Sequence, residues 1–153
     1  MDVSSVIKTW KTTRFWFLDL ANRYDNDQLN VIPHGFNNNL IWHLGHVISV
    51  QDSLIYKSTG VSSTLPDELR LKYKPGSRPE NVADGTEIDL IKSLLLAQID
   101  WTEKDMAQQL FGPFQERTLS TGYHLGSLED AFVFNNFHEG LHMGYFMGIK
   151  KFV

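Results

Sequence analysis

The feature that most constrains the fold is a long apolar-periodic segment near the C-terminus, which carries two histidines one helical turn apart. At about 100° per residue, one helical face would present a mixed set of side chains: Ala131, Phe134, Asn135, His138, Leu141, His142, Tyr145 and Ile149. Both histidines therefore point towards the predicted core. Histidines at positions i and i+4 can hold one metal ion. The alternative is a pair of core histidines satisfied by hydrogen bonds, although two uncompensated imidazoles are costly to bury.

The residues from His138 to His142 also spell H-E-x-x-H, the signature of zinc proteases. Such proteases usually take their third ligand from downstream. Residues 143–153 contain no His, Asp, Glu or Cys, so a third protein ligand would have to come from upstream. A zinc protease is therefore the weaker alternative.

Four segments with helical spacing of apolar residues predict an all-α fold. These segments lie near residues 4–24, 38–58, 86–109 and 127–150. The connection over residues 61–85 is long and contains several Pro and Gly residues, and a link of this length can cross a whole bundle. We expect a single four-helix-bundle domain over residues 1–153, with at least one crossover.

Local patterns indicate where the helices begin and end. Any of the asparagines at residues 37–39 can cap the second helix, and Gly60 would end it. Thr86 and Ser127 each precede an aspartate by three residues, which predicts capping boxes for the third and fourth helices. The other local predictions are a turn, a short helical turn and a long loop, over residues 25–27, 69–71 and 111–126.

The second helix contains two upstream histidines. It is apolar around much of its circumference, as expected for a helix that packs on two neighbours. Gly45 costs about 1 kcal/mol of helix propensity relative to Ala, which a close approach or a crowded site would offset. His43 and His46 lie at i and i+3, and helical phase alone does not decide which supplies the third ligand. The remaining histidines, expected to be loop residues without a metal role, are His34 and His124.

Composition restricts the partners and the chemistry. The chain has no cysteine, which excludes disulfides and Cys-ligated zinc, and any thiol would have to come with a substrate. The net charge of −4 disfavours nucleic acid as a partner. No apolar stretch is long enough to span a membrane, and the first residues lack a signal-peptide pattern. The cytoplasm is therefore the expected location.

Two histidines from the last helix and one from the second would form a site between facing helices. Three neutral imidazoles with one position left for water are typical of catalytic zinc. The ion would lower the pKa of the water towards about 7 and polarise a bound oxygen or sulfur. Imidazole ligands without thiolate favour zinc or nickel over magnesium or calcium.

The two histidine segments together resemble the DinB/YfiT-like superfamily. The pattern consists of NNLIWHLGHV at residues 38–47 and HEGLHMGY at residues 138–145, and the resemblance extends over nearly the whole chain. It implies a four-helix bundle of up-down-down-up topology, a three-histidine site for zinc or nickel, and often a homodimer. Characterised members include thiol S-transferases and isomerases that act with low-molecular-weight thiols. Many others are described only as metal-dependent hydrolases.

Position by position, the resemblance places the metal ligands at His46, His138 and His142. It implies that His43 contacts either a metal-binding histidine or the substrate. The site it implies would serve a metal-dependent hydrolase or thiol S-transferase with a small-molecule substrate.

Three further side chains near the paired histidines are candidates for the site. Glu139 lies about 100° from His138 and about 60° from His142 around the helix, an offset from which a general base could reach a metal-bound water. The alternative for Glu139 is a solvated or salt-bridged side chain. Asn135 would hydrogen-bond a ligand imidazole or the substrate, and Tyr145 would do the same from the other side or serve in packing.

Two main functions remain open: a metal-dependent enzyme, and a non-catalytic bundle protein that binds a metal or a ligand. An open metal position at a solvent-accessible cleft favours the enzyme, whereas a site sealed by Trp42 and Phe137 favours the binding protein. The first helix is unusually aromatic, and exposed aromatic patches tend to mark interfaces, so we expect a homodimer. The aromatic residues of that helix are Trp10, Phe15, Trp16 and Phe17.

Overall fold

The computed structural model describes residues 3–153, which form a mostly helical domain. The helices of this part of the chain are α1 (Val3–Ala21), α2 (Asn26–Asn30), α3 (Leu40–Asp52), α4 (Asp67–Lys72), α5 (Gly85–Ala107) and α6 (Leu128–Ile149). A turn of π-helix, Ser53–Lys57, extends α3. Two short strands, β1 (Arg117–Thr118) and β2 (His124–Leu125), pair in antiparallel fashion. The all-α class predicted from the sequence is confirmed.

The four long helices, α1, α3, α5 and α6, enclose the core. Helices α1 and α3 each pack against both α5 and α6. Every residue of α3 is buried, which agrees with the apolar circumference of its sequence. Phe17, Leu44, Leu95 and Phe146 represent the four helices among the fully buried side chains. This arrangement places α3 and α6, the two helices with paired histidines, side by side.

Most of the predicted helix ends are confirmed. Asn39 caps α3, because its side chain accepts a hydrogen bond from the Trp42 amide at 2.9 Å. Gly60 follows the end of this helical segment with φ of +70°, a conformation that glycine adopts without strain. Ser127 caps α6 by accepting from the Asp130 amide at 3.1 Å. The short helical turn predicted at residues 69–71 is part of α4.

Two local predictions, one of a turn and one of a helix start, differ from the structure. Residues 25–27, predicted as a turn, begin α2, because Asp25 and Gln28 form a reciprocal capping box. Asp84, not Thr86, caps α5, and its side chain accepts from the Glu87 amide at 2.9 Å. In both cases an aspartate side chain satisfies a free amide at the start of a helix.

The predicted loop over residues 111–126 contains the β1–β2 hairpin. Arg117 pairs with Leu125, and Thr118 pairs with His124. Strands of two residues are too short to produce an alternating apolar pattern, so the sequence contains little evidence of them. The hairpin lies beside α6 and covers one end of the groove between α3 and α6.

Apolar side chains on two helices remain exposed. On α1, Trp10 and Phe17 are buried, whereas Phe15 and Trp16 are more than half exposed. A row of exposed apolar residues also runs along α6 at intervals of four: Val133, Phe137, Leu141 and Tyr145. None of the helices described for residues 3–153 is both long and apolar enough to cross a membrane.

Candidate metal centre

Helices α3 and α6 bring three histidines together. One ring nitrogen from each of His46, His138 and His142 lies within 4.8 Å of the other two. Nε2 of His138 and Nε2 of His142 are 3.1 Å apart. Two nitrogens that bind one tetrahedral zinc ion at the usual bond length are separated by roughly 3.3 Å. The spacing of these nitrogens, and the exclusively imidazole donor set, therefore fit a single transition-metal ion.

The orientation of His46 is fixed by two neighbours. Its Nδ1 lies 2.8 Å from the backbone oxygen of Tyr73. A carbonyl oxygen can only accept, so Nδ1 holds the proton and Nε2 retains a free lone pair. The indole of Trp42 stacks on the His46 ring, with centroids 4.4 Å apart and planes 13° from parallel. Such contacts around a ligand determine its tautomer and its ring angle.

His43 lies behind His142 and outside the three-histidine cluster. The Nδ1 atoms of His43 and His142 are 2.8 Å apart, so one ring donates a hydrogen bond to the other. If His142 bound a metal through Nε2, its Nδ1 would hold the proton and donate to His43. The ring of His43 also stacks on Tyr145, with ring centroids 5.6 Å apart. His43 is thus placed to orient a ligand histidine.

Burial keeps these imidazoles neutral. It lowers the pKa of His43 to about 4, that of His138 to about 3 and that of His142 to about 2. Desolvation is the largest cause in each case, and repulsion between the neighbouring histidines lowers these values further. Desolvation also lowers the pKa of His46. The four rings are therefore uncharged at neutral pH and can offer lone pairs to a cation.

A cavity of about 410 Å³ opens beside His46 and His138. Its lining has apolar and polar side chains: the apolar ones are Val50, Leu54, Pro75, Leu119 and Phe134, and the polar ones besides the histidines are Ser53, Arg117, Thr118, Ser120 and Thr121. Trp42 and Phe137 do not line this cavity. Phe137 is 61% exposed and borders a neighbouring cavity instead. The arrangement in which these two residues seal the site is therefore absent from the part of the chain that the structure describes.

Glu139 lies in the core and not beside the histidine nitrogens. Its side chain is fully buried, and Oε1 accepts hydrogen bonds from Trp10 Nε1, from Arg14 Nε at 2.9 Å and from Asn135 Nδ2 at 2.8 Å. Glu139 directly follows His138 in α6, so its side chain points about 100° away around the helix, towards α1. The salt-bridged alternative describes this residue correctly, and the solvated one does not. The predicted general-base role does not fit a carboxylate held by these three donors.

The remaining candidates also differ from the sequence-based expectations. Asn135 is buried and donates to Glu139, and it makes no hydrogen bond with a histidine. Tyr145 is 57% exposed, so it is not an inward packing residue, although its ring contacts His43.

The two loop histidines lie outside the cluster. His34 is exposed. His124 belongs to β2, where its Nδ1 lies 3.3 Å from Thr118 Oγ1 and its Nε2 lies 3.5 Å from Glu116. The cluster at the α3–α6 groove contains neither residue.

Two contributors to the site were not identified from the sequence. Tyr73 packs its ring against Gly45, where an added Cβ would lie 2.5 Å from the ring, and this packing presents the Tyr73 carbonyl to His46. The helix-propensity cost of Gly45 was the available clue. Arg117 lines the cavity, but in the sequence it follows Glu116 in a predicted loop, which is typical of solvated charges.

The fold and the site together define an all-α protein with a histidine cluster that could hold a metal ion. A family model described as the DinB superfamily matches residues 9–146. This match covers most of the chain, so the protein belongs to the DinB superfamily, as the two histidine segments indicated. No curated protein matches the chain.

Proposed function

We propose that the protein is a metal-dependent enzyme in which His46, His138 and His142 bind one divalent transition metal. Three imidazoles without a thiolate suit zinc or nickel. The chemistry that such an ion supplies is Lewis-acid activation of water or of a small-molecule thiol. The reaction would then be a hydrolysis or a thiol S-transfer on a small molecule.

The observation that carries this proposal is the cavity of about 410 Å³ beside His46 and His138. A purely structural metal site is closed by its protein ligands, whereas a catalytic site keeps one position open to substrate. The lining of the cavity combines apolar and polar side chains, as small-molecule sites generally do. This favours an enzyme over a binding protein with a sealed metal.

The surrounding residues would orient the ligands and the substrate. The Tyr73 carbonyl would fix the tautomer of His46, and His43 would hold His142. The apolar side chains of the cavity lining would pack against the body of a substrate and exclude water from it. The protease alternative gains no support, because the third histidine comes from upstream and Glu139 is engaged with Arg14.

We also propose that the chain forms one bundle domain and assembles as a homodimer. The pairing of α1 and α3 with both α5 and α6 is compatible with one bundle domain of up-down-down-up topology. The exposed aromatic residues of α1 and the apolar row on α6 are compatible with a homodimer. Light scattering that gave a single chain of 17.6 kDa at micromolar concentrations would rule out the dimer.

The test of the metal site compares metal content between ligand and control variants. His46→Ala, His138→Ala and His142→Ala should each lose the metal that purifies with the wild-type protein. His34→Ala and His124→Ala remove the same side chain outside the cluster and should retain it. If none of the three cluster variants changes the zinc or nickel content measured by mass spectrometry, the metal site does not exist.

Activity is tested separately, with a panel of thiol-conjugation and ester-hydrolysis substrates in the presence and absence of a chelator. An activity that the chelator removes and that added zinc or nickel restores would support the enzyme. A protein that holds the metal but turns over no substrate of either class would favour the non-catalytic alternative.

A further inference from the structure

Among the described residues, one guanidinium lines the cavity beside the histidine cluster, and it belongs to Arg117. Its Nη2 donates to the backbone oxygen of Ser53 at 3.0 Å and lies 3.3 Å from the Ser53 hydroxyl. Its Nε is buried and has no hydrogen-bond partner within residues 3–153. Leaving a buried donor unpaired is costly, and this cost adds to that of the partly buried charge of Arg117.

The contact between Arg117 and Ser53 fixes the guanidinium relative to the histidines. Ser53 begins the π-helical turn that extends α3, and its carbonyl accepts from both Arg117 and the Ser58 hydroxyl. Turns of π-helix occur frequently at functional sites. The same continuous helix carries His46, so Arg117 contacts the helix that supplies one histidine of the cluster.

The positive charge of Arg117 has no carboxylate partner in the part of the chain that the structure describes. Its neighbour Glu116 lies against His124 instead, at 3.5 Å. Desolvation lowers the pKa of Arg117, which means that burial weakens the hydration of its charge. A partly buried cation without a counter-ion is costly, and a bound anion would offset that cost. Besides His46 and His138, the other polar side chains in the cavity lining are the neutral hydroxyls of Ser53, Thr118, Ser120 and Thr121.

We propose that Arg117 binds a carboxylate on the substrate, so that the acidic end of the substrate lies at Arg117 and its reacting group lies at the histidines. This inference rests on the proposed function and defines its substrate class as small acids with an apolar body. The planar guanidinium matches the geometry of a carboxylate. Val50, Leu54 and Phe134 contribute apolar surface to the same cavity.

The binding test uses zinc-loaded protein and a series of thiol acids: mercaptopropionate, mercaptobutyrate and mercaptohexanoate. Each acid is compared by titration calorimetry with the mercaptoalcohol of the same length. The acid of best-fitting length should bind roughly tenfold to a hundredfold more tightly than its alcohol, which is the range for a hydrogen-bonded charge. Arg117→Gln should abolish this preference. Arg23→Gln, which removes an exposed arginine just after the end of α1, should preserve it.

Two results would overturn the proposal. Equal affinities for acid and alcohol at every length would mean that the cavity does not recognise a carboxylate. A preference that survives in Arg117→Gln would mean that another group, such as the metal, binds the carboxylate. The zinc content of each sample is measured first, so a failure of the metal site is distinguished from a failure of the anion site.

A second measurement requires neither the metal nor a folded variant. Phenylglyoxal modifies arginines, and mass spectrometry of peptides from metal-free wild-type protein follows Arg117 and Arg23 separately. Butyrate and hexanoate should slow the modification of Arg117 more than the alcohols of matching length, and Arg23 should react equally in all samples. Identical modification of Arg117 with acid and alcohol would contradict the proposal.

Discussion

Two clusters of polar side chains lie on different sides of α6. The consecutive residues His138 and Glu139 belong one to each cluster. Glu139 forms an ion pair with Arg14, whose Nη2 lies 2.8 Å from Oε1, and both side chains are fully buried. Arg14 also donates to the Leu95 carbonyl, and it donates to the Val47 carbonyl and to Gln51. This network joins all four long helices through one guanidinium.

The histidine cluster is organised differently. The ring nitrogens of His46, His138 and His142 converge on one another. The cluster borders a cavity, whereas the carboxylate of Glu139 accepts hydrogen bonds from Arg14 inside the core. In the Arg14–Glu139 network, polar groups pair with each other and hold the helices together. In the histidine cluster, free lone pairs converge, and this marks the candidate metal site.

The largest expected effect separates stability from metal binding. Glu139→Ala leaves the Arg14 charge buried without its partner, so we expect the free energy of unfolding to fall by about 3–5 kcal/mol. Urea denaturation of the metal-free protein measures this loss. His142→Ala, on the other side of the same helix, should abolish metal binding with a smaller change in metal-free stability.

A double variant sharpens this prediction. Arg14→Met combined with Glu139→Leu replaces the ion pair by apolar side chains and should cost less than Glu139→Ala alone. A cost below about 1 kcal/mol for Glu139→Ala would contradict the structural role of the pair.

The next effect concerns His43. His43→Ala removes the partner of His142 Nδ1 but leaves the three-histidine cluster intact, so metal affinity should fall about 10–100-fold. Competition with a chromophoric chelator measures this change. If His43→Ala emptied the site and His46→Ala did not, the ligand assignment in α3 would be wrong.

Gly45→Ala should have an intermediate effect on both stability and the site. The new Cβ would meet the Tyr73 ring at 2.5 Å, and overpacking of this kind costs about 1–3 kcal/mol, less about 1 kcal/mol gained in helix propensity. Displacement of Tyr73 would move the carbonyl that orients His46, so metal affinity should also fall.

Gly140→Ala is the matched control for this substitution, because an added Cβ there meets nothing within 4 Å. It should raise stability by about 0.5–1 kcal/mol and leave metal affinity unchanged. Equal behaviour of the two glycine variants would contradict the role assigned to Gly45.

The smallest effect is a pH dependence of the metal-free protein. The folded pKa of His142 is about 2, below its unfolded value of about 6.5, so on acidification the unfolded state takes up the proton first. The stability that this residue contributes is complete above pH 6.5 and is lost as the pH falls towards the folded pKa. When the pH falls from 7 to 6, each such histidine should lower the free energy of unfolding by about 0.7 kcal/mol.

Chemical denaturation at the two pH values measures this slope. The decrease in the free energy of unfolding between pH 7 and pH 6 should be smaller by about 0.7 kcal/mol in His142→Ala than in the wild type. In the control His34→Ala, which removes an exposed histidine, this decrease should be the same as in the wild type. Identical slopes in wild type and His142→Ala would show that His142 is not protected from protonation in the folded state.

The amino-acid sequence alone determined the helical class and the pairing of His138 with His142 on one face of α6. It also indicated that Ser127 caps α6. These features depend on helical periodicity and on hydrogen bonds between residues a few positions apart. Such interactions form within one segment of chain, so they can be predicted without knowing which segments become neighbours.

Only the tertiary structure decided which polar groups meet across helices. Helical phase left His43 and His46 equivalent, and the packing of α3 beside α6 and Tyr73 placed His46 in the cluster and His43 behind His142. The sequence likewise could not reveal that Glu139 meets Arg14, or that Arg117 enters the cavity wall. The physical reason is that periodicity determines which side chains share a face, whereas the partners opposite that face come from helices and loops distant in the sequence.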